Sequence, residues 1–93
     1  MSNTFQIYLI SDSTGETLDR IFLALKAQFV NIEYKVHSYS FTRTENQTLK
    51  ILNDAKENEN SVILYTIVDN NLAKYLANES DKKKFLVFVF LEI

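Results

Sequence analysis

"FQIYLISDSTGET", residues 5–17, is the stretch on which the reading of this chain turns. Its first half, "FQIYLI" (5–10), is a near-continuous apolar run of strand length, rich in β-formers, as expected of a buried parallel strand. Its second half, "SDSTGET" (11–17), holds only polar side chains and one glycine. Beyond it the period of the apolar residues changes. Leu18, Ile21, Phe22, Leu25 and Phe29 fall at i, i+3, i+4, i+7 and i+11, one stripe of an amphipathic helix starting near Thr14. A strand, a polar turn and a helix are thus written into the first third of the chain.

The same alternation continues. "IEYKVHSYS" (32–40) sets Ile32, Tyr34 and Val36 against Glu33, Lys35 and His37, a half-exposed strand expected at a sheet edge. "TENQTLKILNDAKENEN" (44–60) follows as a second helix, with Thr44 and Gln47 at capping-box spacing and Leu49, Leu52 and Ala55 inward. "SVILYTIV" (61–68) has the composition of a central strand. "DNNLAKYLANES" (69–80) is a third helix, capped by Asp69 or Asn70, with Leu72, Tyr75 and Leu76 inward. "KFLVFVFLEI" (84–93) then reads as a fourth strand. The order βαβαβαβ predicts a single α/β domain over residues 1–93, three layers deep, with a parallel sheet of about four strands between helices.

Ninety-three residues suit one small domain, burying about 60–65% of its unfolded surface. The net charge of -2 lacks the basic footprint of a nucleic-acid binder. The absence of cysteine removes thiolate zinc sites and cysteine nucleophiles, and favours a reducing, cytoplasmic setting. With His37 the lone histidine, no metal centre is expected. No apolar run approaches the ~20 residues of a membrane-spanning helix, and no leader is read at the N-terminus. One glycine also rules out both common nucleotide motifs, which need two or three. No cofactor is therefore expected on this chain itself.

In a parallel sheet, ligands gather at the carboxyl ends of the strands, where "SDSTGET" lies. Two readings compete there. Ser13 and Glu16 have the spacing of a capping box, which explains most of these residue types. The alternative is an anion site. Free N–H groups at a helix start attract phosphate or carboxylate, Ser11, Ser13, Thr14 and Thr17 add hydroxyls, and Gly15 permits close approach. Asp12 would orient a hydroxyl or a metal-bound phosphate. Arg43, after the second strand, would meet an oxyanion if the first two strands are neighbours. His37 is read as a solvated or hydrogen-bonded structural residue, and Asp69 as a cap.

"IYLISDSTGETLDRIFLALKAQF" (7–29), with "HSYSFTRTENQ" (37–47) and "ILYTIVD" (63–69), resembles the N-terminal region of a specific family. These are the bacterial regulatory proteins of pyruvate, phosphate dikinase and phosphoenolpyruvate synthase. The resemblance implies a bifunctional phosphotransferase, an ADP-dependent serine/threonine kinase and Pi-dependent pyrophosphorylase acting on the dikinase or synthase. It runs from about residue 6 to residue 80 and rests chiefly on "SDSTGET" and "FTRT". The family's G-x-S-R-T-x-K-T phosphate loop lies downstream of anything present here, so no nucleotide-binding residue carries over. Acting through ADP and phosphate is thus implied for the full-length family, and inactivity for this chain alone. Asn, Lys, Ile, Tyr and Phe make up about 40% of the chain, an A/T-rich codon bias. Lys82, Lys83 and Lys84 could then mark a frame-shifting run, leaving 85–93 either a buried strand or an out-of-frame tail.

Overall fold

The structure is a computed structural model that describes residues 4–28, 31–58, 60–83 and 86–89. Its elements are β1 (Phe5–Ser11), α1 (Glu16–Lys26), β2 (Tyr34–Tyr39), α2 (Glu45–Lys56), β3 (Ser61–Thr66), α3 (Asn70–Lys82) and β4 (Leu86–Val89). All strand pairings are parallel, in the order β2-β1-β3-β4. Each strand-to-strand connection carries a helix, as parallel neighbours require.

Two apolar clusters lie on opposite faces of the sheet, because side chains alternate along a strand. Ile7, Leu9, Val62 and Leu64 meet Leu18 and Phe22 of α1. Tyr8, Ile10, Ile63, Tyr65 and Ile67 meet Ile51, Leu52 and Ala55 of α2 and Leu72 and Leu76 of α3. The result is the expected α-β-α sandwich. Every residue of β3 is buried, which accounts for its unbroken apolar sequence.

Several local expectations shift. Ile32 and Val36 are 40% and 41% exposed, because α1 reaches only as far as Tyr34, whose ring meets Phe22 edge-on at 5.5 Å. The inward stripe of α2 is Thr48, Ile51, Leu52 and Ala55, with Leu49 only half-buried. Thr48 is accommodated because its hydroxyl donates to the Thr44 carbonyl at 3.0 Å. Phe29 lies outside the described residues.

With one glycine in the chain, other residues take the left-handed backbone. Asn31 (φ 69°) and Asn60 (φ 59°) do so ahead of β2 and β3, where asparagine is the usual substitute. Phe41 (φ 53°) does so after β2, an uncommon conformation for a bulky residue. Of the segment 85–93, the structure describes the backbone of Leu86–Val89, with Val62 opposite Leu86 and Tyr65 opposite Val89. The backbone of Leu86–Val89 is thus a strand, and the other residues of 85–93 lie outside the described residues.

Candidate functional site at the carboxyl rim of the sheet

β1 sits between β2 and β3, so the turn that follows it is flanked by the turns after both neighbours. "SDSTGET" ties the three together. The amides of Thr42 and Phe41 donate to the carbonyls of Ser11 (2.8 Å) and Ser13 (2.9 Å), fastening the turn after β2. On the other side the Asp12 carboxylate accepts the Val68 amide at 2.7 Å, fastening the turn after β3. The buried Ser11 hydroxyl receives the Ser13 amide at 3.1 Å and the Thr66 hydroxyl at 3.4 Å. Its contact with the Ser13 hydroxyl is 3.2 Å. Much of the hydroxyl content of this turn therefore serves the turn itself.

The expected Ser13–Glu16 capping box is not formed. The residue that caps α1 is Gly15, at φ 87° and ψ 3°, with no side-chain cap hydrogen bond, and the helix starts at Glu16. The left-handed glycine turns the chain so that Ser13 faces back to Ser11 and away from the helix start. The other two caps form as expected. Thr44 Oγ1 accepts from the Gln47 amide and Gln47 Oε1 from the Thr44 amide, both at 3.1 Å. Asp69 Oδ1 accepts from the Leu72 amide at 2.9 Å.

A shallow cleft of about 70 Å³ opens between the start of α1 and the end of β2. Ser11, Thr14, Gly15, Leu18 and Asp19 line one side, Ser38, Tyr39 and Ser40 the other. It is far below the ~300–1,000 Å³ of an ordinary ligand pocket, so its scale is that of a small anion. Of the candidate residues, Ser11, Thr14 and Gly15 line it. Asp12, Ser13, Thr17 and Arg43 are not among its lining residues. Arg43 reaches the same turn, its Nε donating to the Asp12 carbonyl at 3.1 Å and its guanidinium lying 5.2 Å from the centre of the Phe41 ring. Asp19 brings a carboxylate to the cleft, which opposes a second negative charge. Reading by sequence missed Asp19, Ser38 and Ser40; the polar end of "VHSYS" was the one available signal for the serines.

His37 lies away from this rim's chemistry. It is half-buried, hydrogen-bonded to Gln6 Oε1 at 2.8 Å and stacked on Tyr8 at 4.6 Å, as expected of a structural residue. Beneath that stack, Tyr8 accepts a hydrogen bond from Asn58 at 2.9 Å and donates to Asp54 at 3.3 Å. Burial, chiefly, pushes the Tyr8 hydroxyl pKa above its ordinary 10.0, and does the same to Tyr39 and Tyr65. Among the described residues no cluster of three His, Cys, Asp or Glu could hold a metal ion. Nor is any described helix long and apolar enough to cross a membrane.

The family model of kinase/pyrophosphorylases matches residues 7–93. A relative from Pelagibacter ubique, named "Putative pyruvate, phosphate dikinase regulatory protein", is 69% identical over 91 residues, covering 98% of this chain and 33% of the relative. One of the same name from Geotalea uraniireducens is 43% identical over 79 residues, covering 85% and 29%. Another from Brucella anthropi is 45% identical over 69 residues, covering 74% and 25%. The chain thus spans about a third or less of the length of these relatives, and it belongs to the kinase/pyrophosphorylase family.

Proposed function

We propose that this chain supplies the N-terminal sheet-and-helix part of a cytoplasmic phosphotransferase that regulates pyruvate, phosphate dikinase or phosphoenolpyruvate synthase. The whole protein would transfer the terminal phosphoryl group of ADP to a serine or threonine of its target, releasing AMP, and would pass that group on to inorganic phosphate, forming pyrophosphate and restoring the hydroxyl. The observation that carries this is the family match over residues 7–93, together with 69% identity to a relative named for that regulation. Phosphoryl transfer is largely positioning and charge neutralisation around the phosphates, which demands a phosphate-binding loop. A chain with one glycine has none of the usual loops, so it has no transfer activity alone. Its part is the rim of Ser11, Asp12, Ser13, Thr14, Gly15, Thr17 and Arg43, facing a small anion or the target protein.

A second reading, a non-catalytic remnant that only binds a small anion, draws on the cleft beside Thr14 and Gly15. A chimaera separates the two. The Pelagibacter relative, with its first third replaced by this chain, is incubated with ADP and histidine-phosphorylated dikinase. Phosphorylation of a dikinase serine or threonine by the chimaera, and none by the chain alone, is the expected result. A folded but inactive chimaera beside an active parent would overturn the proposed role.

A further inference from the structure

The cleft between α1 and β2 has a lining of two kinds. Its buried part is apolar, Leu9 and Leu18, and its exposed part holds the Asp19 carboxylate and the hydroxyls of Ser38 and Ser40. Among the described residues, no hydrogen bond or ion pair engages any of these three polar side chains. The other acids of the rim are differently placed. The Asp12 carboxylate is taken by the Val68 amide and that of Asp69 by the Leu72 amide. Glu16 and Glu45 open α1 and α2 but do not line the cleft. Asp19 is therefore the acid that the fold leaves unengaged at the cleft. A carboxylate repels a phosphate group but accepts a hydrogen bond from a neutral hydroxyl. One water needs roughly 10–15 Å³ of such space, so a cleft of about 70 Å³ takes a group of a few heavy atoms, the scale of a serine or threonine side chain.

Resting on the phosphotransferase proposed above, we infer that this cleft receives the target's accepting serine or threonine side chain and that Asp19 is the base for its hydroxyl. The carbon atoms of that side chain lie on Leu9 and Leu18, and its hydroxyl donates to Asp19. Kinases of other folds place an aspartate at the accepting hydroxyl in the same way. In the forward step the target's Oγ bonds to the terminal phosphorus of a nucleoside diphosphate held by the rest of the full-length enzyme. The bond from that phosphorus to the bridging oxygen breaks, the nucleoside monophosphate leaves with the electron pair, and the hydroxyl proton passes to Asp19. In the return step an oxygen of inorganic phosphate bonds to the transferred phosphorus. The Oγ–P bond then breaks, pyrophosphate forms, and Asp19 gives its proton back to Oγ.

The test uses the chimaera of the Pelagibacter relative with this chain as its first third, assayed with ADP and histidine-phosphorylated dikinase. Asp19→Asn keeps the shape of the side chain and should lower kcat by about 10²–10⁴-fold, the range for a positioned acid or base, with KM for ADP unchanged. Asp19→Glu should restore part of that rate. Ser38→Leu fills the cleft while leaving the acid in place, and should raise KM for dikinase roughly tenfold, the equivalent of about 1.4 kcal/mol, again without moving KM for ADP. Glu16→Gln removes an acid of the same helical turn that does not line the cleft, and should change neither constant. Circular dichroism checks that each variant folds, and Ser38→Leu keeps the test decisive should Asp19→Asn fail to. An active chimaera that keeps its kcat as D19N overturns the inference and leaves the proposed phosphotransferase standing. So does one whose KM for dikinase is indifferent to S38L, or one that loses as much rate as E16Q as it does as D19N. A chimaera with no activity before any of these substitutions overturns the proposed role, and this inference with it.

Discussion

Replacing Gly15 by alanine separates two reasons a glycine can be required. The residue sits at φ 87°, and the Asp19 amide donates to its carbonyl at 2.9 Å, opening the hydrogen-bond ladder of α1. A methyl group built there would meet nothing nearer than the Ser11 Cβ at 3.9 Å, ordinary van der Waals contact. Crowding therefore contributes nothing, and the cost is that of a left-handed backbone, about 1–2 kcal/mol for an L-residue with a Cβ. Alanine also restricts the unfolded chain, which returns about 0.4–1 kcal/mol. Taking the middle of both ranges, the net loss is about 0.8 kcal/mol. Asparagine, which visits this region at smaller cost, should lose less than about half as much.

Urea unfolding followed by circular dichroism reads the difference. With a slope near the low end for small proteins, about 1 kcal/mol per molar, the alanine midpoint falls by about 0.8 M. The slope itself should not change, because the substitution exposes no new surface on unfolding. Thermal scans should place alanine several degrees below wild type, at about 4–8 °C per kcal/mol for a domain of this size. An alanine variant as stable as wild type would refute the backbone argument. An asparagine variant as damaged as alanine would refute it equally, since side-chain bulk would then be the cause.

Thr44→Ala should cost about 1–2 kcal/mol, because it removes both the hydroxyl that caps α2 and the reciprocal box with Gln47. Ser13→Ala, at the position sequence spacing marks as a cap, should cost less than half of that, since its hydroxyl meets the Ser11 hydroxyl and α1 has no side-chain cap hydrogen bond; denaturant midpoints rank the two, and equal losses would contradict the structure. At alkaline pH, Tyr8, Tyr39 and Tyr65 have folded pKa values raised above 10.0, so the native state holds their protons more tightly than the unfolded chain. Their contribution is fully present below pH 10 and is lost as pH rises through the folded values. Unfolding midpoints should therefore fall steadily above about pH 10, and Tyr39→Phe should flatten that fall; a flat profile from pH 8 to 11.5 would count against the burial of these hydroxyls.

The α/β class, the element order and two of the three caps were legible in the sequence because each depends on neighbours within a few residues. Period 2 against period 3.6, a threonine three residues before a glutamine, or an aspartate before a helix can all be counted off. The failures share a cause. Ser13 and Glu16 have the right spacing for a box, but spacing does not report that Gly15 between them turns left-handed. Ile32 and Val36 alternate as inward residues should, yet their burial depended on how far α1 extends across the sheet. Leu49 yielded to Thr48 because Ile51 and Ala55 together set which side of α2 meets the sheet.

For the polar turn the division is sharpest. Sequence by itself determined that a hydroxyl-rich segment with the lone glycine stands where a strand becomes a helix, because the apolar period breaks there. It also determined, by the count of one glycine, that no common phosphate loop is present. What those hydroxyls do was decided only by the tertiary structure. Placing β1 between β2 and β3 brings Thr42, Thr66 and Val68 within hydrogen-bond reach of Ser11 and Asp12, partners 31 to 56 residues away along the chain. Strand order is a choice among long-range pairings whose backbone hydrogen bonds are alike for every sequence, so no local pattern encodes it.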